Sequence, residues 1–186
     1  MVLKVLKQRV ILTLMVVLVA LLGASSWWMT RKGEAMKLFS PALGFGDPIP
    51  ARYAYCGPGA QNLSPPLEWS GVPAGTESFA LLMLDPDARG GSFVHWVVYD
   101  LPGSLSALPE GVSGSPDLLD GTNDYGAVGY GGPCPPPGPA HRYFFTLYAL
   151  KVPSLDLPVG ATATELVRAM NGAVLAEAEW MGTYRR

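Results

Sequence analysis

Three apolar runs set the terms on which this chain can fold. Ser78–Leu84 (SFALLML), Phe93–Leu101 (FVHWVVYDL) and Arg142–Leu150 (RYFFTLYAL) are rich in aromatic and branched residues, and turn-forming residues bound each of them. Short apolar runs of that composition read as buried strands. Weaker strands are expected at Lys37–Ser40, Pro50–Ala54 and Pro66–Trp69. The 22 glycines and 18 prolines are spread through the chain, which keeps its regular elements short. The Gly/Pro-rich stretch 102–139 is expected to be mostly ordered loop. Helix is expected only near the end. Thr162-Ala163-Thr164-Glu165 has the capping-box pattern, and Leu166, Met170 and Leu175 follow at helix-compatible spacing. Asn171-Gly172 then breaks the helix or joins two short ones. The sum is one mainly β domain over residues 36–186, with short C-terminal helices and no internal repeat.

The N-terminus is of another kind. Lys4, Lys7 and Arg9 precede an apolar run from Val10 to Ala24, broken only by Thr13, and small residues follow at Ser25 and Ser26. This is the pattern of an export signal. Continued through Trp27, Trp28 and Met29 to Arg31 and Lys32, the run is long enough to cross a bilayer once. Residues 1–32 are therefore expected to be a signal peptide or a transmembrane anchor, the poor cleavage motif favouring the anchor. Either places the domain in the cell envelope, membrane-anchored or exported to the periplasmic or extracellular side. Cys56 and Cys134, both in loop-like sequence, fit export, because they could pair in an oxidising compartment. Two separate thiols is the competing reading.

Past residue 40 the chain holds seven basic and fourteen acidic residues, a formal charge of −7. Such a domain lacks the basic footprint of a nucleic-acid binder, so no nucleic-acid partner is expected. Any anion site has to be a local pocket of oriented donors.

The two histidines sit in unusual places. His95 lies inside an apolar strand before Trp96, and His141 follows the proline-rich loop Gly131–Gly138. Asp85-Pro86-Asp87 ends the first strong strand, and ten residues later the chain returns at His95, as a hairpin connection requires. Asp85 or Asp87 is thus expected beside His95. Such a contact would orient the imidazole and favour its charged form. A cationic ring next to backbone N–H groups of the Gly/Pro loop would make an anion pocket, lined by Tyr125, Tyr130, Tyr143 and Trp96 and stiffened by prolines. Plainer readings compete, since a strand histidine is usually a core residue and Asp-Pro-Asp usually a turn. No HxxxH spacing indicates a metal, and no GxSxG elbow accompanies Ser92. Neither a metal, a cofactor nor a catalytic residue is therefore assigned. An Asp85–His95 acid–base hydrolase is the weaker enzymatic alternative.

Taken together, Asn62–Trp69 (NLSPPLEW), Asp85-Pro86-Asp87-Ala88 with His95-Trp96, and Gly132-Pro133-Cys134-Pro135-Pro136 running to His141-Arg142-Tyr143 resemble the three signatures of the phosphatidylethanolamine-binding, or Raf kinase inhibitor-like, family. Leu175–Glu179 and Gly182-Thr183-Tyr184 resemble the tail of its bacterial branch. The resemblance implies a central antiparallel sheet packed by a second, smaller sheet, with short C-terminal helices. It also implies a pocket for phosphate-type anions, such as a phosphoethanolamine head group, formed by Asp85, Asp87, His95, Pro135, His141 and Tyr143. Arg142 is expected to brace the loop through carbonyls or an acid. Two departures stand out. Arg89 occupies the place where the family commonly has proline, and Gly172-Ala173 stands where bacterial relatives often have Gly-His. The implied role is a binding or regulatory module for a small phosphorylated or carboxylated ligand. A protein partner held by the 102–139 loop, as in kinase or protease inhibitors, is the alternative.

Overall fold

Nine strands run through the described residues, 35–186, of this computed structural model, which form one compact unit. They are β1 (Lys37–Phe39), β2 (Leu67–Ser70), β3 (Ser78–Asp85), β4 (Phe93–Pro102), β5 (Ala107–Leu108), β6 (Leu119–Thr122), β7 (His141–Leu150), β8 (Gly160–Thr162) and β9 (Val174–Tyr184). The signal or anchor expected at residues 1–32 lies outside the described residues. Among the described residues no helix is long and apolar enough to cross a membrane.

The strands make two sheets. The larger has the order β8-β6-β4-β3-β7-β9 and the smaller β1-β2-β5. All neighbours are antiparallel except β6 and β8. The three strong apolar runs are the centre of the larger sheet, and the reason lies in their composition. In β3, Phe79, Leu81 and Met83 point to one face and join Trp69, Trp96, Tyr143, Phe145 and Trp180 in the core beneath the small sheet. Ala80 and Leu82 point to the other face and pack with Val97, Tyr99, Leu166 and Met170. A strand covered on both faces has no polar side to show, so it reads as an unbroken apolar run.

Two expectations need correction. Pro50–Ala54 is not a strand: Ala51–Tyr53 is a single 3-10 turn, whose Tyr53 ring is buried. The stretch 102–139 is mostly loop, as expected, and carries two short strands, β5 and β6. Only one C-terminal helix forms, α1 (Ala163–Ala169), rather than a pair. Its capping box is complete, with Thr162 accepting from the Glu165 N–H and Glu165 reaching back to the Thr162 N–H. Leu166 and Met170 are buried as their spacing requires, but Leu175 belongs to β9 and is exposed. The alternation Ala178, Trp180, Gly182 along the buried face of β9 is a strand period, legible once the helix is stopped at Gly172.

Candidate functional site

A bulge in β4 creates the site. Met83 pairs with Trp96 while Leu84 pairs with Val94, so His95 is an extra residue with no partner across the ladder. Strict alternation would send His95 and Trp96 to opposite faces. The bulge lets both face the same side: Trp96 enters the core with Tyr143, and the His95 ring lies 5.1 Å from the Tyr143 ring. Bulges re-aim side chains in this way. The result is a cleft of about 210 Å³ at the end of the large sheet, lined by Asp85, Arg89, Phe93, His95, Tyr125, Pro135, His141 and Tyr143 among others.

One wall is built on carboxylates. Asp85 is buried, and its Oδ1 accepts the Asp87 N–H at 2.8 Å. Its Oδ2 accepts from His141 Nδ1 at 2.8 Å. The anticipated Asp–His contact therefore exists, but the histidine is His141 and not His95. Asp87 does not line the cleft. Its carboxylate takes the Arg142 side chain through two bonds, from Nε at 2.9 Å and Nη2 at 2.7 Å, and the Arg142 N–H at 2.9 Å. These bonds to Arg142 lower the Asp87 pKa to about 2. The brace expected of Arg142 is thus an acid, and Asp87 shapes the loop from outside the cleft.

The opposite wall is built on carbonyls and rings. His95 Nδ1 lies 2.6 Å from the Gly131 carbonyl oxygen. A carbonyl only accepts, so Nδ1 carries the proton. Burial pushes the His95 pKa down, against the smaller upward pull of the Gly131 carbonyl and Asp85. That direction favours the neutral ring, against the expectation of a cationic ring there. The loop supplies fewer N–H groups than expected. Gly131 N donates to the His95 carbonyl at 2.8 Å and Gly132 N to Asn62 Oδ1 at 2.7 Å. Residues 133, 135, 136 and 137 are prolines without an N–H. Cys134, which lines the cleft, still has an N–H, so donors for an anion can come from it as well as from side chains.

Tyr125 stacks on Tyr55 with ring centroids 4.4 Å apart and meets Phe93 and His95 edge-on. Its hydroxyl donates to the Gly132 carbonyl at 3.1 Å, and burial pushes its pKa up to about 12. The Tyr143 hydroxyl is buried and has no hydrogen-bond partner among the described residues. Burial, with Asp85 nearby, holds it far above the ordinary phenol range, although no hydrogen bond of normal geometry joins the two. Trp96 and Tyr130, expected in the lining, serve the core instead, bonded to Asp120 and to the Tyr53 carbonyl. Phe93 was not anticipated. It pairs with Asp85 across the hairpin, and that register is the signal that would have placed it at the cleft.

Behind this wall Cys56 and Cys134 are joined in a disulfide, with Cα atoms 5.3 Å apart. The two backbones already touch: Tyr55 N donates to the Pro133 carbonyl at 3.0 Å, and a Cβ on Gly132 would run into the Tyr53 carbonyl oxygen. Among the described residues no three His, Cys, Asp or Glu side chains gather as a metal site.

Known proteins share this arrangement of chain. A family model described as phosphatidylethanolamine-binding protein matches residues 39–185. The chain is 46% identical over 158 residues to a UPF0098 protein of Aquifex aeolicus, covering 83% of this chain and 91% of that one. It is 44% identical over 135 residues to the UPF0098 protein YbhB of Escherichia coli, covering 68% and 85%. Its fold is similar to the crystal structure of E. coli YbcL, a member of the mammalian PEBP family by its description, with TM-score 0.76, 31% identity and coverage of 82% and 99%. It is likewise similar to a phosphatidylethanolamine-binding protein homologue of Chlamydia trachomatis, with TM-score 0.74, 40% identity and coverage of 82% and 98%.

Proposed function

The chain belongs to the phosphatidylethanolamine-binding protein family, and from that premise we propose that it is a binding module whose cleft holds a small phosphorylated or carboxylated group. The observation that carries this reading is the Tyr143 hydroxyl. It is buried and has no hydrogen-bond partner among the described residues, and its residue lines the cleft. A buried polar group left unpaired costs about 1–3 kcal/mol, so it implies a partner from outside. Beside it stand His141, held by Asp85, and Arg89 at the rim, whose guanidinium can donate to an oxyanion.

The test follows the rings of the two histidines by NMR while phosphoethanolamine, inorganic phosphate or acetate is added. Saturable shifts in both rings are expected. Silence with all three anions would reject the reading.

The segment 1–32 is proposed to carry the domain to the cell envelope. Support comes from its basic start and apolar run, and from a disulfide that suits an oxidising compartment. Alkaline extraction of membranes expressing the full chain tests this. Recovery in the soluble cytosolic fraction, with both thiols free to alkylation, would overturn it.

A further inference from the structure

The far end of the large sheet carries a surface that the cleft does not use. His141, at the cleft, pairs with Tyr184, so β9 begins at the opposite end of the sheet, where Val174 pairs with Leu150. β9 is an edge strand with β7 on one side only. Its later half is closed from outside by the loop 46–49. Gly46 N donates to the Met181 carbonyl at 2.8 Å, Thr183 N to the Asp47 carbonyl at 2.9 Å, and Ile49 N to the Thr183 carbonyl at 2.7 Å. The backbone groups of residues 181 and 183 thus point outward. By the alternation of a strand, those of Glu177 and Glu179 do so too. Among the described residues no backbone bond closes the edge at those two positions. An open edge of this kind is a template for another strand.

The side chains around it say which strand fits. Ala178 and Trp180 turn to the core, so Glu177 and Glu179 share the opposite face, where both are exposed. Neither forms an ion pair among the described residues. Tyr148, opposite Glu177, borders a groove of about 510 Å³ that Val167, Met170 and Val174 also line. Val167 is 54% exposed, and Val174 and Leu175 are 41% exposed. The cation of this groove, Arg168, is drawn towards Glu165 on the same helix. A second copy of the chain fits poorly. Two such edges paired antiparallel would set Glu177 and Glu179 opposite the same carboxylates of the other copy.

We propose that β9 from Val174 to Glu179 is a docking edge, which takes an extended basic segment of a partner protein as a seventh strand of the large sheet. Main-chain bonds at Glu177 and Glu179 hold the segment. On the face it shares with them, two lysine or arginine side chains meet the carboxylates and an apolar side chain further along enters the groove. The formal charge of −7 past residue 40 favours the approach of such a segment.

The experiment uses the full chain in detergent and three labelled hexapeptides. The first is acetyl-KTKTLT-amide, the second replaces both lysines by glutamate, and the third is the first with every backbone nitrogen methylated, which keeps the charge and removes the N–H donors. The first is expected to bind roughly tenfold or more tightly than either of the others, from two charge pairs and the edge hydrogen bonds. Amide shifts should centre on residues 174–179 and leave the His95 and His141 rings unmoved. In E177K/E179K, where both altered side chains are exposed, the preference should reverse to the glutamate peptide. Binding of none of the peptides would overturn the proposal. So would a methylated peptide that binds within about twofold of the first, since charge alone would then suffice, or an unchanged preference in E177K/E179K. Self-association of the protein that shifts the same amides without peptide would make a second copy the occupant and overturn it too.

Discussion

The two walls of the cleft hold one histidine each by opposite chemistry. His141 leans on a buried carboxylate, and the carboxylate wall continues outward into the Asp87–Arg142 pair, whose Arg142 side chain is 53% exposed. His95 leans on a backbone carbonyl, and its wall continues inward to stacked rings and a disulfide. The difference shows that the same ring nitrogen, Nδ1, can be held by a charged acceptor on one wall and by a neutral one on the other. It also separates the walls energetically. The carbonyl wall is buried and covalently tied, while the carboxylate wall is wet at its outer end.

The sharpest way to break the comparison is to cut the tie. Cys134→Ser, or reduction of the wild type, opens a covalent loop with a sequence separation of 78 residues. The expected loss is about 2–5 kcal/mol in denaturant titrations, and ligand binding should weaken because Pro135 and Tyr125 lose their fixed backing. On the other wall, Asp85→Ala strips His141 Nδ1 and the Asp87 N–H of their acceptor. It should cost about 2–3 kcal/mol and shift the His141 ring signals while leaving the His95 tautomer unchanged.

Acid distinguishes the walls more gently. The folded pKa of His95 lies below its unfolded value of about 6.5, so the unfolded chain binds more protons in the window between the two. Stability contributed by neutral His95 is present above pH 6.5 and declines as pH falls through that window. A wild-type slope matched by the His95→Asn variant would contradict this. Asp87 behaves in the opposite range: its folded pKa of about 2 is below its unfolded value near 3.9. Its contribution is complete above the unfolded value and disappears only as pH approaches 2. The smallest effect belongs to the same pair. Arg142→Ala removes a solvent-screened ion pair and should leave the denaturation midpoint almost unchanged, with the cleft still able to bind phosphate.

Much of the fold was legible because burial on both faces leaves a mark in the sequence. β3, β4 and β7 read as apolar runs because each meets a core on either side, and the helix start read correctly because the Thr162–Glu165 box is a purely local device. The C-terminal end misled for the same reason in reverse. Leu175 fits a helical spacing, but pairing with β7 over ten residues of β9 outweighs that local preference. Pro50–Ala54 was misread because a short turn capped by proline has no period of its own.

The sequence by itself determined which residues gather. Asp85, His95, Pro135, His141 and Tyr143 line one cleft because strand ends and a hairpin bring them there. Only the tertiary structure decided what each of them does there. A carbonyl from Gly131 reached His95 and a carboxylate reached His141, although the local sequence pointed to the other pairing. A one-residue bulge turned His95 into the cleft, and Arg142 drew Asp87 away from it. The physical reason is that a side chain's protonation and direction are set by whichever group lies within about 3 Å, and in a sheet those groups come from segments far apart in the chain.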